Sequence, residues 1–245
     1  MILVFVDETG DVKFKRYFGL SVAVVKHNFY RQIKEEFHAI LHKHGWNPSI
    51  EFKGSYLFSA TSGDTNISID ERIAIATEVL QLTASEANSR MKLFYLKHET
   101  DDPKADYLRT LPLLLEKALP RATDKRQGKD LLSLSYDRRD DMTPVEVRST
   151  VLPTIEKRGY TLVEDVCMAT SNYNTVGILF ADIVGYLVAR IDTISNDAEL
   201  FENLTPEHMA QNGKLRKLQA SKSLLENVRS LKRGQLVVKH KIIKK

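Results

Sequence analysis

Three aspartates stand beside or inside apolar runs that are typical of buried segments: Asp7, Asp137 and Asp182. Asp182 interrupts the most apolar stretch of the chain, residues 175–189. An uncompensated carboxylate in a protein interior costs several kcal/mol even after relaxation, so such a group needs a basic partner, a proton or a cation. If the three acids lie together, their like charges must either hold a proton or recruit a divalent metal.

Carboxylate oxygens of this kind suit Mg²⁺ or Mn²⁺. Two such ions about 3.5–4 Å apart can activate a water molecule and stabilise the leaving oxygen in phosphodiester hydrolysis. A common form of this site has a fourth acid, and Glu51 is our candidate because it follows a predicted helix end and precedes a polar loop. Glu8 is adjacent to Asp7 and should point to the opposite face of a strand, which makes it the weaker candidate.

Three cations flank these acids: Lys53, Arg138 and Arg139. They are candidates for contact with substrate phosphate, since Arg can bind phosphate through two N–H groups at once. We count Lys53 among the catalytic residues because it could steady the phosphate beside the four acids. Salt bridges with the same acids would explain the three cations equally well. Each acid also has a simpler explanation, as a turn cap, a loop residue or a member of an internal ion pair.

The elements that would position the acids follow from the apolar pattern. Asp7 and Asp137 each come at the carboxyl end of a predicted strand, and Asp182 lies inside a helix that is apolar almost all round. Predicted strands cover residues 2–6, 17–25, 91–96, 131–136 and 160–166. Predicted helices cover residues 27–44, 70–87, 102–119, 143–157, 174–190 and 206–233.

Without the segment 27–87, the element order is β-β-β-α-β-α-β-α, which is the order of the ribonuclease H-like fold. We therefore predict an α/β domain over residues 1–195, with a mixed five-stranded sheet flanked by helices. A helical insertion follows the second strand at about 27–88, and a basic helical extension covers 196–245. Strands one and four are neighbours in this topology and the last helix crosses their ends, so Asp7, Asp137 and Asp182 should converge.

Four short motifs also resemble, in order, those of the DUF3800 family of prokaryotic and phage proteins. They are Asp7-Glu8-Thr9-Gly10-Asp11, where the family has Ser in place of Thr; Glu51-Phe52-Lys53; Tyr136-Asp137-Arg138; and Ser171 followed by Gly177-Ile-Leu-Phe-Ala-Asp182. The resemblance spans residues 7–182 and implies a ribonuclease H-like fold and a metal-dependent nuclease, with no defined substrate. One departure is Leu179, where the family commonly has Gln that could orient substrate or a ligand carboxylate.

Other features of the 245-residue chain narrow the function less. A net charge of +4 permits a nucleic-acid partner without requiring one. The basic segment 214–245 could follow a nucleic-acid backbone or be a solvated helix face and tail. His38 and His42 share a helix face, but zinc would need further ligands. The lone Cys167 should be a packed thiol, and no apolar run is long enough to span a membrane.

The sequence leads to one main hypothesis and two alternatives. The main one is a cytoplasmic phosphodiesterase that cleaves DNA or RNA with Mg²⁺ or Mn²⁺, most simply as two ions. The first alternative is a non-catalytic ribonuclease H-like module of a phage or defence system, which binds nucleic acid or protein. The second is a hydrolase of free nucleotides, with the Gly/Ser/Thr-rich segment 54–68 as a mobile lid. Whether the chain forms a homodimer is left open.

Overall fold

The computed structural model describes residues 1–10, 18–83, 90–98, 102–122, 130–195, 212–228 and 231–235. Within them the chain forms one mixed sheet of seven strands, β1 (Ile2–Gly10), β2 (Phe18–Lys26), β3 (Met91–His98), β4 (Asp130–Asp137), β5 (Tyr160–Leu162), β6 (Cys167–Ala169) and β7 (Lys232–Gln235). The α-helices are α1 (His27–Lys43), α2 (Ile69–Gln81), α3 (Pro103–Ala118), α4 (Pro144–Lys157), α5 (Val176–Ser195) and α6 (Gly213–Glu226).

The strand order is β5-β4-β1-β2-β3-β7, and β6 pairs with the second half of β4. Strands β1, β2 and β3 form an antiparallel meander, while β4 lies parallel to β1 on its other side and β5 lies parallel to β4. This is the arrangement predicted from the element order. The chain therefore has the ribonuclease H-like fold, with β1 at the centre of the sheet.

Helices cover both faces of the sheet. Side chains alternate along β1, so Val4 and Val6 face α3 and α4, while Leu3 and Phe5 face the layer of α1, α2, α5 and α6. Helix α5 contacts β1 and β2 on one side and α6 on the other. That position explains why α5 is apolar almost all round, and it carries Asp182 into the protein between sheet and helices.

Two strands differ from the sequence prediction. The predicted strand 160–166 is two short strands, because the chain turns at Glu164, whose φ is 90°. Both short strands pair with β4: β5 pairs with its first residues, 130–132, and β6 with its last, 135–137. Strand β7 was not predicted, since its residues Lys-Arg-Gly-Gln have no apolar alternation, yet it extends the sheet beyond β3. The sheet thus has seven strands and not five.

The segment 54–68 was predicted to be a mobile loop, and a lid only under the free-nucleotide alternative; in the structure a buried guanidinium organises it. Arg72, in the first turn of α2, is 1% exposed and donates hydrogen bonds to five backbone carbonyl groups of this segment. The acceptors lie on Tyr56, Ser59, Ser62, Asp64 and Ile67, at 2.6–3.0 Å. The segment is therefore an ordered loop built around one internal cation, and its role as a lid stays a prediction.

The described part of the C-terminal segment belongs to the main core. Leu215, Leu218 and Leu224 of α6 are buried against the same apolar cluster as α5. Residues 239–245, the Lys-rich tail predicted either to contact nucleic acid or to be a solvated tail, lie outside the described residues. The proposed boundary at residue 195 stays a prediction. Among the helices described, none is both long enough and apolar enough to cross a membrane.

Candidate functional site

Asp7 and Asp137 lie side by side at the ends of two parallel strands. The register pairs Val6 of β1 with Tyr136 of β4, and each aspartate is the next residue along. Val6 and Tyr136 belong to the core on the α3/α4 face, so the aspartates point to the other face, towards α5. Burial raises the pKa of Asp7 well above its usual value, and the charges of Asp182 and Asp137 raise it further. Asp137 is therefore the strand-end neighbour of Asp7, and Asp182 lies near enough for its charge to act on Asp7. Their role as metal ligands stays a prediction.

Asp182 enters the site from α5 and is held by a loop residue. Its Oδ2 accepts a hydrogen bond from the backbone N–H of Gly54 at 2.6 Å. Burial raises the pKa of Asp182 to about 6, although the Gly54 N–H and the charge of Lys53 act in the opposite direction. The carboxylate is thus partly compensated by protein donors, but not enough to keep its ordinary acidity.

Glu51 joins the group through Ser171. The Ser171 hydroxyl donates to Glu51 Oε1, and the Ser171 backbone N–H donates to Asp137 Oδ1 at 3.1 Å. Burial raises the pKa of Asp137, opposed by the N–H groups of Arg138 and Ser171 and by the charge of Lys53. One serine, in the segment between β6 and α5, therefore fixes the spacing of two predicted metal ligands.

Lys53 is the cation of the site. Its Nζ lies 3.2 Å from Glu51 Oε2, and its side chain is about one-third exposed, at 32%. Burial lowers the pKa of Lys53, but the negative charges of Glu51, Asp182 and Asp137 outweigh that effect and the pKa is raised. Lys53 therefore stays protonated beside the acids, with enough exposure to meet a phosphate group.

The four acids fit a hard cation by donor chemistry, since all their ligand atoms are carboxylate oxygens. In the described part of the chain, however, no three or more His, Cys, Asp or Glu side chains are arranged closely enough to hold a metal ion. The acids instead use Gly54, Ser171 and Lys53 as partners. A bound Mg²⁺ or Mn²⁺ would therefore require these side chains to move closer together.

Glu8 and Arg139 occupy the opposite face of the sheet, as expected for Glu8. Arg139 pairs with Glu8 and, at 2.7 Å, with Asp141, and its guanidinium lies 5.3 Å from the centre of the Tyr107 ring. These contacts favour the salt-bridge explanation of Arg139. Arg139 also lines a small cavity with Asp7 and Asp137, and its phosphate role stays a prediction. Arg138 is exposed and pairs only loosely with Asp140, at 3.3 Å. Its phosphate role stays a prediction.

Comparison with known proteins gives the following. No family model matches the chain, and no curated protein sequence matches it. A chain of the complex of PCNA with ribonuclease HII from Archaeoglobus fulgidus is similar with a TM-score of 0.46 and 11% identity, over 100% of this chain and 98% of that one. Ribonuclease H2 from Pyrococcus horikoshii is similar with a TM-score of 0.39 and 10% identity, over 94% of this chain and 99% of that one.

Likeness at this level carries no conclusion about activity. The fold assignment rests on the strand order and register. The resemblance to the DUF3800 family stays a prediction, and so do the site residues taken from it. Leu179, where that family commonly has Gln, is fully buried in the apolar core. In this chain the side chain at 179 therefore contributes packing and does not line the site.

Two other candidates from the sequence have structural explanations. His38 stacks on Tyr173, with ring centroids 4.5 Å apart and planes at 5°, and His44 lies 2.9 Å from Glu78. These contacts give His38 and the neighbouring His44 structural roles, while His42, the predicted partner of His38 on the helix face, is exposed. Cys167 is exposed and not packed, because β6 is a short strand at the rim of the sheet.

Proposed function

We propose that the chain hydrolyses phosphodiester bonds of nucleic acid with the help of divalent metal. The observation that carries this proposal is that Asp7 and Asp137 end two neighbouring parallel strands, while Asp182, from the helix packed on β1, lies near enough for its charge to act on Asp7. Each of these acids has a raised pKa chiefly because of burial. A protein gains nothing in stability from this arrangement, so a use for the acids is the better explanation.

Within this proposal the acids and Lys53 have distinct tasks. Asp7, Glu51, Asp137 and Asp182 would hold Mg²⁺ or Mn²⁺, which when bound supply an activated water and neutralise the charge at the leaving oxygen. Ser171 keeps Glu51 and Asp137 at a fixed spacing. Lys53 would contact a non-bridging phosphate oxygen and orient the phosphate against the acids.

The test is cleavage of labelled single-stranded and duplex DNA and RNA in Mg²⁺ or Mn²⁺, compared with EDTA. Asp7→Asn and Asp182→Asn should each abolish cleavage while the fold survives, as judged by circular dichroism. Asp192→Asn is the matched control, because Asp192 lies on the same helix and pairs with Lys97 instead, at 3.3 Å. If both site variants keep cutting at the wild-type rate, the proposed roles are wrong.

One observation favours the alternative of a non-catalytic binding module. Gly54, Ser171 and Lys53 already compensate three of the acids without a metal ion. Calorimetric titration with Mn²⁺ separates the two functions. The nuclease proposal expects saturable binding that Asp7→Asn removes, whereas a binding module expects no heat at millimolar metal.

A further inference from the structure

A cavity of about 560 Å³ adjoins the acids and has no role so far. This volume lies within the roughly 300–1,000 Å³ usual for pockets that bind small organic groups. Glu51 and Ser171 form part of its wall, so a group in the cavity lies directly beside the proposed phosphate position. The rest of the wall comes from two segments, residues 48–56 and 171–174.

The wall of the cavity is aromatic and neutral polar. Tyr56 and Tyr173 supply rings, and Ser49, Asn172 and Asn174 supply hydroxyl and amide groups. Among the described residues that line it, none is Lys, Arg or His, and Glu51 is the one charged group. A phosphate would find no cation there, whereas a flat, uncharged ring with hydrogen-bonding edges would find both stacking and polar partners.

Tyr173 is fixed in place before any ligand arrives. The His38 ring lies parallel to it, with centroids 4.5 Å apart, and His38 Nε2 lies 3.1 Å from the Tyr173 carbonyl oxygen. Helix α1 therefore supports the ring from outside the cavity. An aromatic side chain held in this way loses little freedom on binding, which favours stacking of a ligand.

We propose that this cavity binds one unpaired nucleobase of the substrate, stacked against Tyr173, next to the phosphate held at the acids. The proposal rests on the proposed nuclease function and defines its substrate class. A base can enter the cavity only after it leaves a duplex stack. The substrate is therefore a single strand, or a strand that is locally unpaired at the cut, and not a continuous duplex.

The experiment measures binding and not cleavage. Fluorescence anisotropy with labelled 12-nucleotide single strands, in Ca²⁺ and with strand integrity checked on a gel, compares a strand with all its bases and one with a central abasic run. The wild-type protein should bind the abasic strand about tenfold more weakly, as expected for the loss of base–aromatic stacking. Tyr173→Ala should weaken binding of the complete strand by about the same factor and leave the abasic strand unchanged.

Tyr173→Phe is the matched control, since it keeps the ring and should keep the tenfold preference. Should Tyr173→Ala fail to fold, photocrosslinking of wild-type protein to a strand carrying 5-iodouracil replaces it, and the crosslink should map to 171–174 or to Tyr56. Equal affinity for complete and abasic strands, or a crosslink only elsewhere, overturns the proposal.

Two outcomes distinguish a failure of the nucleobase proposal from a failure of the proposed nuclease function. Protein that binds and cuts strands without any preference for bases remains a nuclease, but the cavity is not a base site. Protein that binds neither strand contradicts both ideas. Adenosine monophosphate that displaces the labelled strand at an equal concentration of nucleotide units would identify a free-nucleotide site. The proposal expects the 12-nucleotide strand to bind at least tenfold more tightly than adenosine monophosphate.

Discussion

The backbone N–H of Gly54 donates to the carboxylate of Asp182 at 2.6 Å, across 128 residues of sequence. This contact joins the segment after α1 to the middle of α5. No side chain fits at position 54: a Cβ there would lie 2.6 Å from Tyr186 Cβ and 3.1 Å from Ile183 Cα. The close approach of loop to helix therefore requires glycine, and the position of Asp182 depends on it.

Gly54→Ala should push the loop away from α5 and lengthen the bond to Asp182. We expect a loss of about 1–3 kcal/mol in the free energy of unfolding, the usual cost of an overpacked contact, and weaker Mn²⁺ binding. Urea denaturation and calorimetric titration measure the two effects. Gly213→Ala is the control, because nothing lies within 4 Å of its Cβ position. If both variants have wild-type stability, the contact between loop and helix is looser than described.

The sequence predicts the acids better than the groups that position them. Asp7, Asp137 and Asp182 are detectable because each is a charge in or beside an apolar run. Gly54 and Ser171 give no comparable signal. Their donors are a backbone N–H and a single hydroxyl, and their partners are distant in the chain, so only the folded protein relates them to the acids.

The fold, like the site, is predictable only where the sequence carries an apolar pattern. The order of the main strands is predictable because each is an apolar run bounded by polar residues, and hairpin and crossover rules then fix their neighbours. Strand β7 pairs through its backbone and has no apolar pattern to detect. The segment 54–68 is similar: its polar residues indicate a loop, but Arg72, which organises it, resembles an ordinary surface residue of a helix in sequence.

Arg72→Met tests whether the buried guanidinium holds that segment. Five carbonyl groups would lose their donor, and hydrogen bonds to charged groups are each worth about 1.5–3 kcal/mol, so we expect a loss of about 3 kcal/mol or more. Hydrogen exchange should also speed up over residues 56–67. The control is Arg31→Met, since Arg31 is an exposed helix residue paired with Glu35 and should change stability by less than about 0.5 kcal/mol. Equal effects of the two variants would contradict this role.

Arg138 and Arg139 should behave differently although they are adjacent. Arg139→Met leaves Glu8 half-buried without its cation, so we expect a loss of about 2 kcal/mol in unfolding free energy. Arg138→Met breaks only an exposed pair and should leave stability within about 0.5 kcal/mol. Oligonucleotide affinity is measured for both. A stable Arg139→Met protein that binds nucleic acid poorly would support Arg139 as a phosphate ligand and contradict its assignment to ion pairing alone.

The buried acids should make the metal-free protein less stable as pH rises. Burial raises the pKa of Asp182 from 3.8 to about 6, so between these values the folded state holds more protons than the unfolded state. Stability then falls as pH rises through this window and stays lower above it. Burial of Asp7 acts in the same direction. Urea unfolding in EDTA from pH 4 to pH 7 measures the slope.

Asp182→Asn should flatten this slope, because the amide cannot ionise, while Asp192→Asn on the same helix should keep it. Mn²⁺ should offset the loss in the wild-type protein at pH 7 more than at pH 5, since a cation replaces the proton only where the acids are ionised. Stability that rises with pH through the same window in EDTA would mean that Lys53, Gly54 and Ser171 compensate the acids fully. The site would then have no need of a metal ion, and the binding module would be the better description.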